Sequence, residues 1–573
     1  MIISGTYTQV TSKRTFQRES ISTMAKMTFN DKRVLIIDDQ RSFLMILRGV
    51  LNSMGAQLVV VAPNADLGLA ACKKEHFDFI ICDLHLGVNK KNGFQFLEEI
   101  RLKKLVKPET VFMMVSADAE RPNVLGSLEK QPDEYLIKPF SQAQLGLRLT
   151  KAYDKRQSLR SVYVKIQKGD IPAAISVCRE LIKNGIRFKQ SCCRLLAELY
   201  WRNGQYIEAR HMLAPLLEVQ SSLWANVSMA QTEYLLNNYE AAITLASNVL
   251  KSNKLLVDAQ DILAKSYLKL DKAQEALEAI NRAINLSPMS LERQFTACGI
   301  ARVNEDFDMI KRCSQEIWEL SKKSIHRDIA HLCSYFRSIL DAAEHSKDKQ
   351  IRKGYQQEAL FALQKYRQDE ALTRFEDDFD YGVFETLIEA RVNYLDGNLF
   401  AAKRTLTESQ IQLAQKFAHT PLSMAPDSIK VMLDLGEFDD ASELHDLLLK
   451  SGKKLDENTR ALLDSSFENS QKQSAAYSHY NNLGVELYGE GKYQAAYDAF
   501  ISAQDVAPVN TGVALNLLQC NLRIMEKTSK PSAVFISSCK QTYQHVKKMV
   551  ILEEHQQKLN ALKADLEKYV EVK

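Results

Sequence analysis

Five polar residues between positions 38 and 138 have the types needed for phosphoryl chemistry. They are Asp38, Asp39, Asp83, Ser116 and Lys138. Carboxylates that cluster together disfavour one another's ionisation, and a hard divalent cation such as Mg²⁺ relieves that repulsion. A carboxylate beside Mg²⁺ can attack a phosphoryl group, while a lysine and a hydroxyl opposite it hold the phosphoryl oxygens. The five residues therefore predict formation of an aspartyl phosphate, provided that the fold brings them together.

Apolar segments typical of buried strands precede these residues. Such segments are predicted at 33–37, 58–62, 77–82, 111–115 and 135–137. Apolar residues at helical spacing predict helices at 43–54, 67–72, 94–101, 122–128 and 141–153, the last with Ser141 as its N-cap. Strands that alternate with helices form a doubly wound parallel sheet, here five-stranded, whose functional residues gather at the carboxyl ends of the strands. All five polar residues are therefore predicted to line one crevice.

The complete set resembles the receiver domains of two-component signalling, over residues 32–153. Asp83 follows Asp39 by 44 residues, Ser116 follows Asp83 by 33, and Lys138 follows Ser116 by 22. The resemblance implies a flavodoxin-like α/β fold. It also implies that Asp83 accepts a phosphoryl group from a phosphohistidine on a sensor histidine kinase or phosphotransfer protein.

The same resemblance implies roles for the residues around the acceptor. The Mg²⁺ ligands would be Asp38, Asp39, Asp83 and the backbone carbonyl of His85. Lys138 would pair with the phosphoryl group, and Ser116 would move to hydrogen-bond it. Tyr135 would swing inward as Ser116 moves; the alternative for Tyr135 is an ordinary edge-strand tyrosine. The His85 side chain is expected to face solvent from its loop rather than to bind metal.

The loop after Asp83 departs from the family pattern. Gly87 stands where receiver domains usually have proline, and the stretch to Gly93 is longer by about two residues. These departures bear on the loop conformation and on the lifetime of the phosphoryl group. Further along, Pro139 would carry the cis peptide bond typical of the family, because proline lowers the cost of that isomer.

A different pattern begins after Tyr153. A turn residue, an anchor and a small residue recur, with anchors at Ile171, Tyr206, Tyr239, Ala273 and Phe307, separated by 35, 33, 34 and 34 residues. This period resembles that of tetratricopeptide repeats, which are antiparallel helix pairs that stack into a superhelical solenoid. Glycine or asparagine would make each turn, and the small residue would let the paired helices approach closely.

Later copies of the repeat are uneven. A nearly complete one occupies 480–508, and degenerate ones lie at 397–402 and 436–441. The segment 341–380 is charged and off-register, which favours irregular helices. Leu559, Leu562, Leu566 and Val570 predict a terminal helix that caps the array, with a short coiled coil as the alternative.

The bulk composition limits the class of protein. The 573 residues are 45% hydrophobic and 25% charged with a formal net charge of +4, which gives no electrostatic reason to expect nucleic acid as a partner. No apolar run is long enough for membrane insertion. The ten cysteines lack any C-x-x-C spacing, which favours reduced thiols in a cytoplasmic protein.

The patterns together predict the domain organisation. It comprises a disordered leader at 1–30, a receiver domain at 31–153, tetratricopeptide repeats at 154–320, degenerate helical repeats at 321–470, and a further repeat with capping helices at 471–573. The first thirty residues are polar and lack the apolar core of a signal peptide.

The resemblance in both halves predicts a phosphorylation-dependent response regulator that signals through protein binding by its helical repeats. Regulators of the VieB type are similar in layout. One alternative is a phosphate sink or kinase-inhibiting adaptor without a phosphorylation-dependent output. A DNA-binding transcriptional regulator is disfavoured by the balanced charge. We expect no enzymatic activity beyond the assistance that the receiver gives to its own phosphorylation and dephosphorylation.

Overall fold

The computed structural model describes residues 29–87, 90–117, 132–219, 222–369, 372, 375, 378–452, 454–527, 533–549 and 551–568. Nearly all of the predicted leader, and the helix predicted at 122–128, lie outside the described residues. The described residues form two compact units: one contains 29–87, 90–117, 132–177 and 185–188, and the other contains 178–184 and those from 189 onward. In the described part of the chain, no helix is both long and apolar enough to cross a membrane.

The first unit is built on a five-stranded parallel sheet. The strands are β1 (Arg33–Ile37), β2 (Leu58–Ala62), β3 (Phe79–Asp83), β4 (Val111–Ser116) and β5 (Glu134–Ile137). Their order in the sheet is β2-β1-β3-β4-β5, which is the flavodoxin-like order. Strand β3 begins two residues later than predicted, because the Asp78 carboxylate turns back to accept a hydrogen bond from the Arg33 backbone N–H at 2.9 Å.

Helices cover both faces of this sheet. They are α1 (Arg41–Ser53), α2 (Ala65–Lys74), α3 (Gly93–Leu102) and α4 (Gln142–Ser158), and α5 (Arg160–Lys168) follows α4. Successive strand residues point to opposite faces. Val34 and Ile36 therefore join an apolar cluster with α1 and α4, whereas Leu35 and Ile37 join one with α2 and α3. The Ser141 hydroxyl accepts a hydrogen bond from the Gln144 N–H, as the predicted N-cap requires.

Helix α5 packs within the same unit as the sheet. The Gln167 side-chain amide donates to the carbonyl of Val106 at 2.8 Å. The Arg156 guanidinium donates to Asp133 at 2.6 Å and lies 4.1 Å from the centroid of the Tyr163 ring. These contacts join α5 and the end of α4 to the α3–β4 loop and to the start of β5.

The remainder of the described chain is a succession of helices. Helix α6 (Ile171–Lys183) contains the division between the two units. The helices that follow are α7 (Lys189–Arg202), α8 (Tyr206–Val219), α9 (Leu223–Leu235), α10 (Tyr239–Ser252), α11 (Val257–Lys269), α12 (Ala273–Leu286), α13 (Leu291–Val303), α14 (Phe307–Ser321), α15 (Ile329–His345), α16 (Lys349–Tyr366), α17 (Tyr381–Leu395), α18 (Leu399–Lys416), α19 (Ala425–Leu435), α20 (Phe438–Lys450), α21 (Glu457–Gly489), α22 (Tyr493–Val506), α23 (Thr511–Lys527), α24 (Ala533–Lys548) and α25 (Glu553–Leu566).

Each predicted anchor is the first residue of a helix. The anchors begin α6, α8, α10, α12 and α14, in that order. The residue two positions before each anchor has a positive φ, between 54° and 81°, and it is Gly169, Gly204, Asn237, Asp271 or Glu305. Glycine holds the same place before α18, α20 and α22, again with positive φ. A left-handed backbone at the turn is therefore the constant feature, and it persists where the residue is no longer glycine or asparagine.

The small residue of the repeat is buried between the paired helices. It lies three positions after the anchor and is completely buried in Ala174, Ala209, Ala242 and Ala276. The later copies place Ala402, Ala441 and Ala496 there, also without exposure. A larger side chain at such a site would push the helices apart, because protein cores are close-packed.

The segment 341–380, predicted to be irregular, contains the end of α15 and the whole of α16 as regular helices. Charges that obscured the repeat pattern are paired across helices. Arg391, which is 1% exposed, donates to Asp341 at 2.7 Å and to Glu344 at 3.0 Å, and Lys430 donates to Glu344 at 2.9 Å. Because the partners lie on α15, α17 and α19, the pairing is not visible as a pattern along the sequence.

The last helix packs as a cap. Leu559, Leu562 and Leu566 are buried in a cluster with apolar residues of α23 and α24, and Val570 lies outside the described residues. All ten cysteines are buried free thiols.

Replacing the left-handed Glu305 with glycine should stabilise the repeats. A non-glycine residue with positive φ is strained, so Glu305→Gly should raise the free energy of unfolding by about 1 kcal/mol. Glu305→Ala is the matched control, since alanine keeps the strain and should give no such gain. Conversely, Gly204→Ala should lower the denaturation midpoint, although no atom would contact the new methyl group. A chemical-denaturation series of the full chain checks these changes, and equal midpoints for glycine and alanine at 305 would contradict the interpretation.

The ion pairs of Glu344 should make the fold sensitive to acid. Burial favours a higher pKa for Glu344, but Arg391 and Lys430 outweigh it and lower the pKa to about 2. Because this pKa lies below the unfolded value, the carboxylate stabilises the fold at neutral pH and loses that effect as pH falls toward 2. Glu344→Gln should cost on the order of 2 kcal/mol at pH 7, with the difference from wild type narrowing below about pH 4. Glu278→Gln, which removes an exposed i,i+4 pair with Arg282, is the control and should change little.

Candidate functional site

The carboxyl ends of four strands position the predicted polar residues. Asp38 directly follows β1, Asp83 and Ser116 are the last residues of β3 and β4, and Lys138 directly follows β5. These four strands are consecutive neighbours in the sheet, so their carboxyl ends lie side by side along one edge.

Three carboxylates and one ammonium form the centre of the site. Oxygens of Asp38, Asp39 and Asp83 all lie within 4.8 Å of one another. Lys138 Nζ lies 2.7 Å from Asp38 Oδ2 and 3.1 Å from Asp83 Oδ1. Asp38 and Asp83 are buried, whereas Asp39 is exposed. The structure thus brings together four side chains that are up to 100 residues apart in the sequence.

Ser116 and Tyr135 lie at different positions along their strands relative to the edge that carries Asp83. Ser116 is buried at the end of β4, and its carbonyl accepts a hydrogen bond from the Lys138 backbone N–H at 2.8 Å. Tyr135 pairs in register with Met114, two residues before Ser116. Its half-buried ring packs against the apolar cluster shared by α2 and α3. Ser116 therefore lies at the edge that carries Asp83, and Tyr135 lies further from it on β5.

Sequence reasoning missed one aromatic residue at the site. Lys138 Nζ lies 3.9 Å from the centroid of the Phe43 ring, in the first turn of α1. Phe140 meets Phe43 edge-on, with the ring centroids 6.1 Å apart. A cation over an aromatic face is stabilised by the ring quadrupole, so Phe43 helps to hold the Lys138 ammonium beside the carboxylates. The available signal was an aromatic residue five positions after Asp38.

The electrostatics of Asp83 favour an added cation. Burial raises the pKa of Asp83 above its ordinary value; the Lys138 ammonium opposes this effect and the charge of Asp38 adds to it. Asp83 Oδ1 is buried and accepts no hydrogen bond from the described residues, although Lys138 is within ion-pair distance. Three negative charges meet one positive charge here, which leaves the acceptor carboxylate incompletely compensated.

The donor set fits Mg²⁺. This ion prefers oxygen ligands and keeps several waters, and the cluster offers carboxylate oxygens only. The buried Asp83 oxygen without a hydrogen bond supplies one position for it. Asp38 and Asp39 supply the others among the described side chains.

The loop that follows Asp83 is shaped by two glycines. Gly87 has φ of 105°, which proline cannot adopt because its ring holds φ near −65°. The departure from the usual proline therefore reflects a different backbone conformation. A Cβ at Gly93 would lie 2.5 Å from the Asp83 carbonyl oxygen, so glycine alone fits that position.

His85 is exposed in this loop, and its charge is among the influences that lower the pKa of Asp83. Beyond β5, the Lys138–Pro139 peptide bond is cis.

Comparison with known families agrees with this geometry. A family model described as "Response regulator receiver domain" matches residues 34–150. This segment is a receiver domain.

Curated relatives match about a quarter of the chain. The alkaline phosphatase synthesis transcriptional regulatory protein PhoP of Bacillus subtilis is 28% identical over 147 residues, which are 26% of this chain and 58% of PhoP. Chemotaxis protein CheY-3 of Vibrio cholerae is 27% identical over 123 residues, which are 22% of this chain and 92% of CheY-3. Neither match exceeds 147 of the 573 residues, and the chain spans 58% of the length of PhoP.

Solved structures with a similar segment include a CheY-like receiver domain protein from Methanospirillum hungatei. It is 27% identical, and the match covers 22% of this chain and 96% of that protein with a TM-score of 0.20. The chemotaxis response regulator CheY4 of Vibrio cholerae is 25% identical, with coverage of 21% and 98% and a TM-score of 0.20. At these TM-scores the likeness carries no conclusion beyond the family match.

A second family model, described as "Tetratricopeptide repeat", matches residues 257–288. This segment is the helix pair α11–α12, whose anchor is Ala273. The receiver domain is thus followed by a helical region that contains a tetratricopeptide repeat.

Mg²⁺ should stabilise the receiver domain through the acidic cluster. An ion that binds only the folded state adds about 2.7 kcal/mol when its free concentration is 100 times its dissociation constant. The melting temperature of the wild type should therefore rise with Mg²⁺, and Asp38→Asn or Asp39→Asn should remove most of the increase. Asp66→Asn, which removes an exposed carboxylate elsewhere in the domain, is the control and should keep it. An identical Mg²⁺ response in all variants would place the bound ion elsewhere.

Proposed function

We propose that this chain is a response regulator that accepts a phosphoryl group on Asp83 and signals through protein binding by its helical repeats. The observation that carries the proposal is the position of Lys138 Nζ, 3.1 Å from Asp83 Oδ1 and 2.7 Å from Asp38 Oδ2, at the edge of a receiver-type sheet. The donor would be a phosphohistidine on a sensor histidine kinase or a phosphotransfer protein.

The transfer is a displacement at phosphorus. An Asp83 carboxylate oxygen attacks the phosphorus atom, the bond from phosphorus to the histidine nitrogen breaks, and that nitrogen keeps the electron pair. When the other ring nitrogen of the donor imidazole carries a proton, the products are an acyl phosphate on Asp83 and a neutral histidine. Water later hydrolyses the acyl phosphate and restores the carboxylate. We propose that this self-modification is the whole of the chain's chemistry and that it acts on no other substrate.

The neighbouring side chains support this transfer in distinct ways. Lys138 is held by Phe43 and the carboxylates, so its ammonium is already placed to pair with an incoming phosphoryl oxygen. Asp38 and Asp39, with Asp83 and the His85 carbonyl, would hold Mg²⁺, which neutralises charge on the transferring group when bound. Asp83 is 6% exposed, so its carboxylate is largely shielded from bulk solvent.

The response to phosphorylation would begin at Ser116. A phosphoryl group on Asp83 adds negative charge and acceptor oxygens beside the end of β4, where the Ser116 hydroxyl can donate to it. We propose that Tyr135 follows this movement, because it lies on β5 next to Met114 of the same strand pair. The changed surface near β5 would then alter what the repeats bind.

Helical repeats of this type offer extended surfaces for peptides and helices. We therefore propose that the output is a complex with another protein, formed in the cytoplasm. The helical repeats would carry the partner and the receiver domain would set the affinity.

Labelling with a small phosphodonor tests the acceptor directly. The full chain incubated with radiolabelled acetyl phosphate and Mg²⁺ should gain label, and Asp83→Asn should abolish it because the nucleophile is gone. Lys138→Met should slow labelling by about 10²-fold, the usual effect of removing one donor to developing charge. Asp66→Asn should label like wild type. Label that persists in Asp83→Asn would overturn the assignment.

Affinity capture tests the output. The full chain with and without phosphorylation is used as bait, and captured proteins are compared by mass spectrometry. A partner whose capture changes with phosphorylation, but not with the Asp83→Asn bait, is expected. Identical capture in all three conditions would favour a phosphate sink that drains a kinase without an output of its own.

A further inference from the structure

Helix α21 is longer than the other first helices of the repeat pairs. It spans 33 residues, whereas α9, α13, α15, α17 and α19 span 11 to 17. Its second half forms the repeat with α22, where the nearly complete sequence copy lies. The first half, residues 457–470, is thus an addition to the repeat and extends beyond its own pair.

This added half lies across the inner helices of earlier repeats. Arg302 of α13 donates from Nε to Asn458 Oδ1 at 3.1 Å. Ser334 of α15 donates to Asp456 Oδ1 at 3.1 Å, and Arg337 of α15 donates to Thr459 Oγ1 at 2.7 Å. The start of α21 therefore contacts residues that lie 122 to 156 positions earlier in the chain. We call the surface formed by Phe295, Gly299, Arg302 and Ser334 the α13–α15 groove.

The fit between the helix start and the α13–α15 groove is incomplete. A cavity of about 400 Å³ remains between them, lined by Phe295, Ile317, His331 and Leu455 among others. Phe295 is 39% exposed in spite of its size. Arg302 Nη2 is buried without a hydrogen bond among the described residues, its nearest carboxylate oxygen being that of Asp341 at 3.9 Å. Protein cores are close-packed and satisfy their polar groups, so the cavity and the Arg302 nitrogen make this contact less complete than the apolar packing of Leu463 beside it.

We propose that the α13–α15 groove is the surface through which the array recognises its partner, and that the first half of α21 occupies it in the unbound chain. The partner segment is an amphipathic helix that presents a polar, acid-capped N-terminal turn, as α21 does. The inference rests on the proposed function in assigning partner binding to the repeats.

The chemistry of the docked turn defines this partner. Asp456 caps α21 by accepting hydrogen bonds from the N–H of Thr459 at 3.0 Å and from its hydroxyl at 2.6 Å. One turn later, Leu462 and Leu463 are buried. The α13–α15 groove offers the Ser334 hydroxyl and the Arg302 guanidinium, which donate to Asp456 and Asn458 and suit carboxylate or amide oxygens. Gly299 leaves room for the Glu457 carboxylate, which would lie 3.2 Å from a Cβ at that position.

A peptide copy of the occupant tests the proposal on the full chain. The probe is a fluorescent synthetic peptide of residues 454–474, and its dissociation constant is measured by anisotropy. The variant Asp456→Ala/Asn458→Ala removes two of the three hydrogen bonds that join the start of the helix to α13 and α15. It should bind the peptide at least about tenfold more tightly than wild type, because the internal competitor no longer fills the groove. If this double variant fails to melt cooperatively, Asn458→Ala alone keeps the cap and serves instead.

Asp348→Ala is the matched control. It removes an equivalent N-cap, that of α16, outside the groove, and it should bind the peptide like wild type. We call Asp456→Ala/Asn458→Ala the undocked variant. Adding Arg302→Ala and Ser334→Ala to it should return peptide binding to the wild-type level. Equal binding by all variants, no binding by the undocked variant, or binding that survives the groove substitutions would overturn the proposal. Asp83 labelling by acetyl phosphate is measured on the same proteins, so a failure here is distinguishable from a failure of the response-regulator function.

Discussion

Repulsion among three carboxylates at one edge of a parallel sheet is the constraint on which the receiver domain depends. One carboxylate oxygen from each of Asp38, Asp39 and Asp83 lies within 4.8 Å of the others. They meet because β1 and β3 are neighbouring parallel strands whose carboxyl ends lie side by side. One ammonium, Lys138, compensates part of the charge, and Phe43 keeps it in place. Burial makes the remaining charge more costly, since a low dielectric strengthens repulsion as well as attraction. A site arranged in this way gains most from a divalent cation and from a group whose oxygens pair with Lys138.

The opposite ends of the same strands are held differently. The Asp133 carboxylate accepts hydrogen bonds from the Phe112 backbone N–H at 2.9 Å and from Arg156 at 2.6 Å. Arg156 in turn stacks on Tyr163 of α5. The amino ends of β4 and β5 are therefore cross-linked to α4 and α5, whereas their carboxyl ends carry Ser116 and Lys138. A change of charge at Asp83 therefore acts on the carboxyl ends of β4 and β5, where Ser116 and Lys138 lie.

The helical region obeys a backbone constraint and a packing constraint together. In the pairs that keep the repeat pattern, a left-handed residue two positions before the second helix turns the chain. A buried residue three positions after the anchor, alanine in all of these helices except α14, sets how closely the pair packs. Where the repeat consensus decays, buried ion pairs such as Arg391–Asp341 and Arg337–Asp427 join helices from different pairs. Such pairs add little net stability over apolar contacts, but leaving one partner alone is costly, so they favour a single arrangement of the helices.

Local patterns in the sequence were sufficient for features that depend on period and on strand ends. The strands, the convergence of Asp38, Asp83 and Lys138, and the helix starts at Ile171, Tyr206 and Phe307 all follow from apolar periodicity and parallel-sheet topology. The sequence did not show that the helices in 341–380 are regular. A charged side chain in a sequence is read as exposed until its ion-pair partner on another helix is known. Phe43, the positive φ of Gly87 and the docking of α21 on α13 and α15 were likewise decided only in three dimensions. The contacts of Phe43 and of α21 join segments that are far apart in the sequence, and the φ of Gly87 is set by the folded loop. None of these features produces a periodic pattern in the sequence.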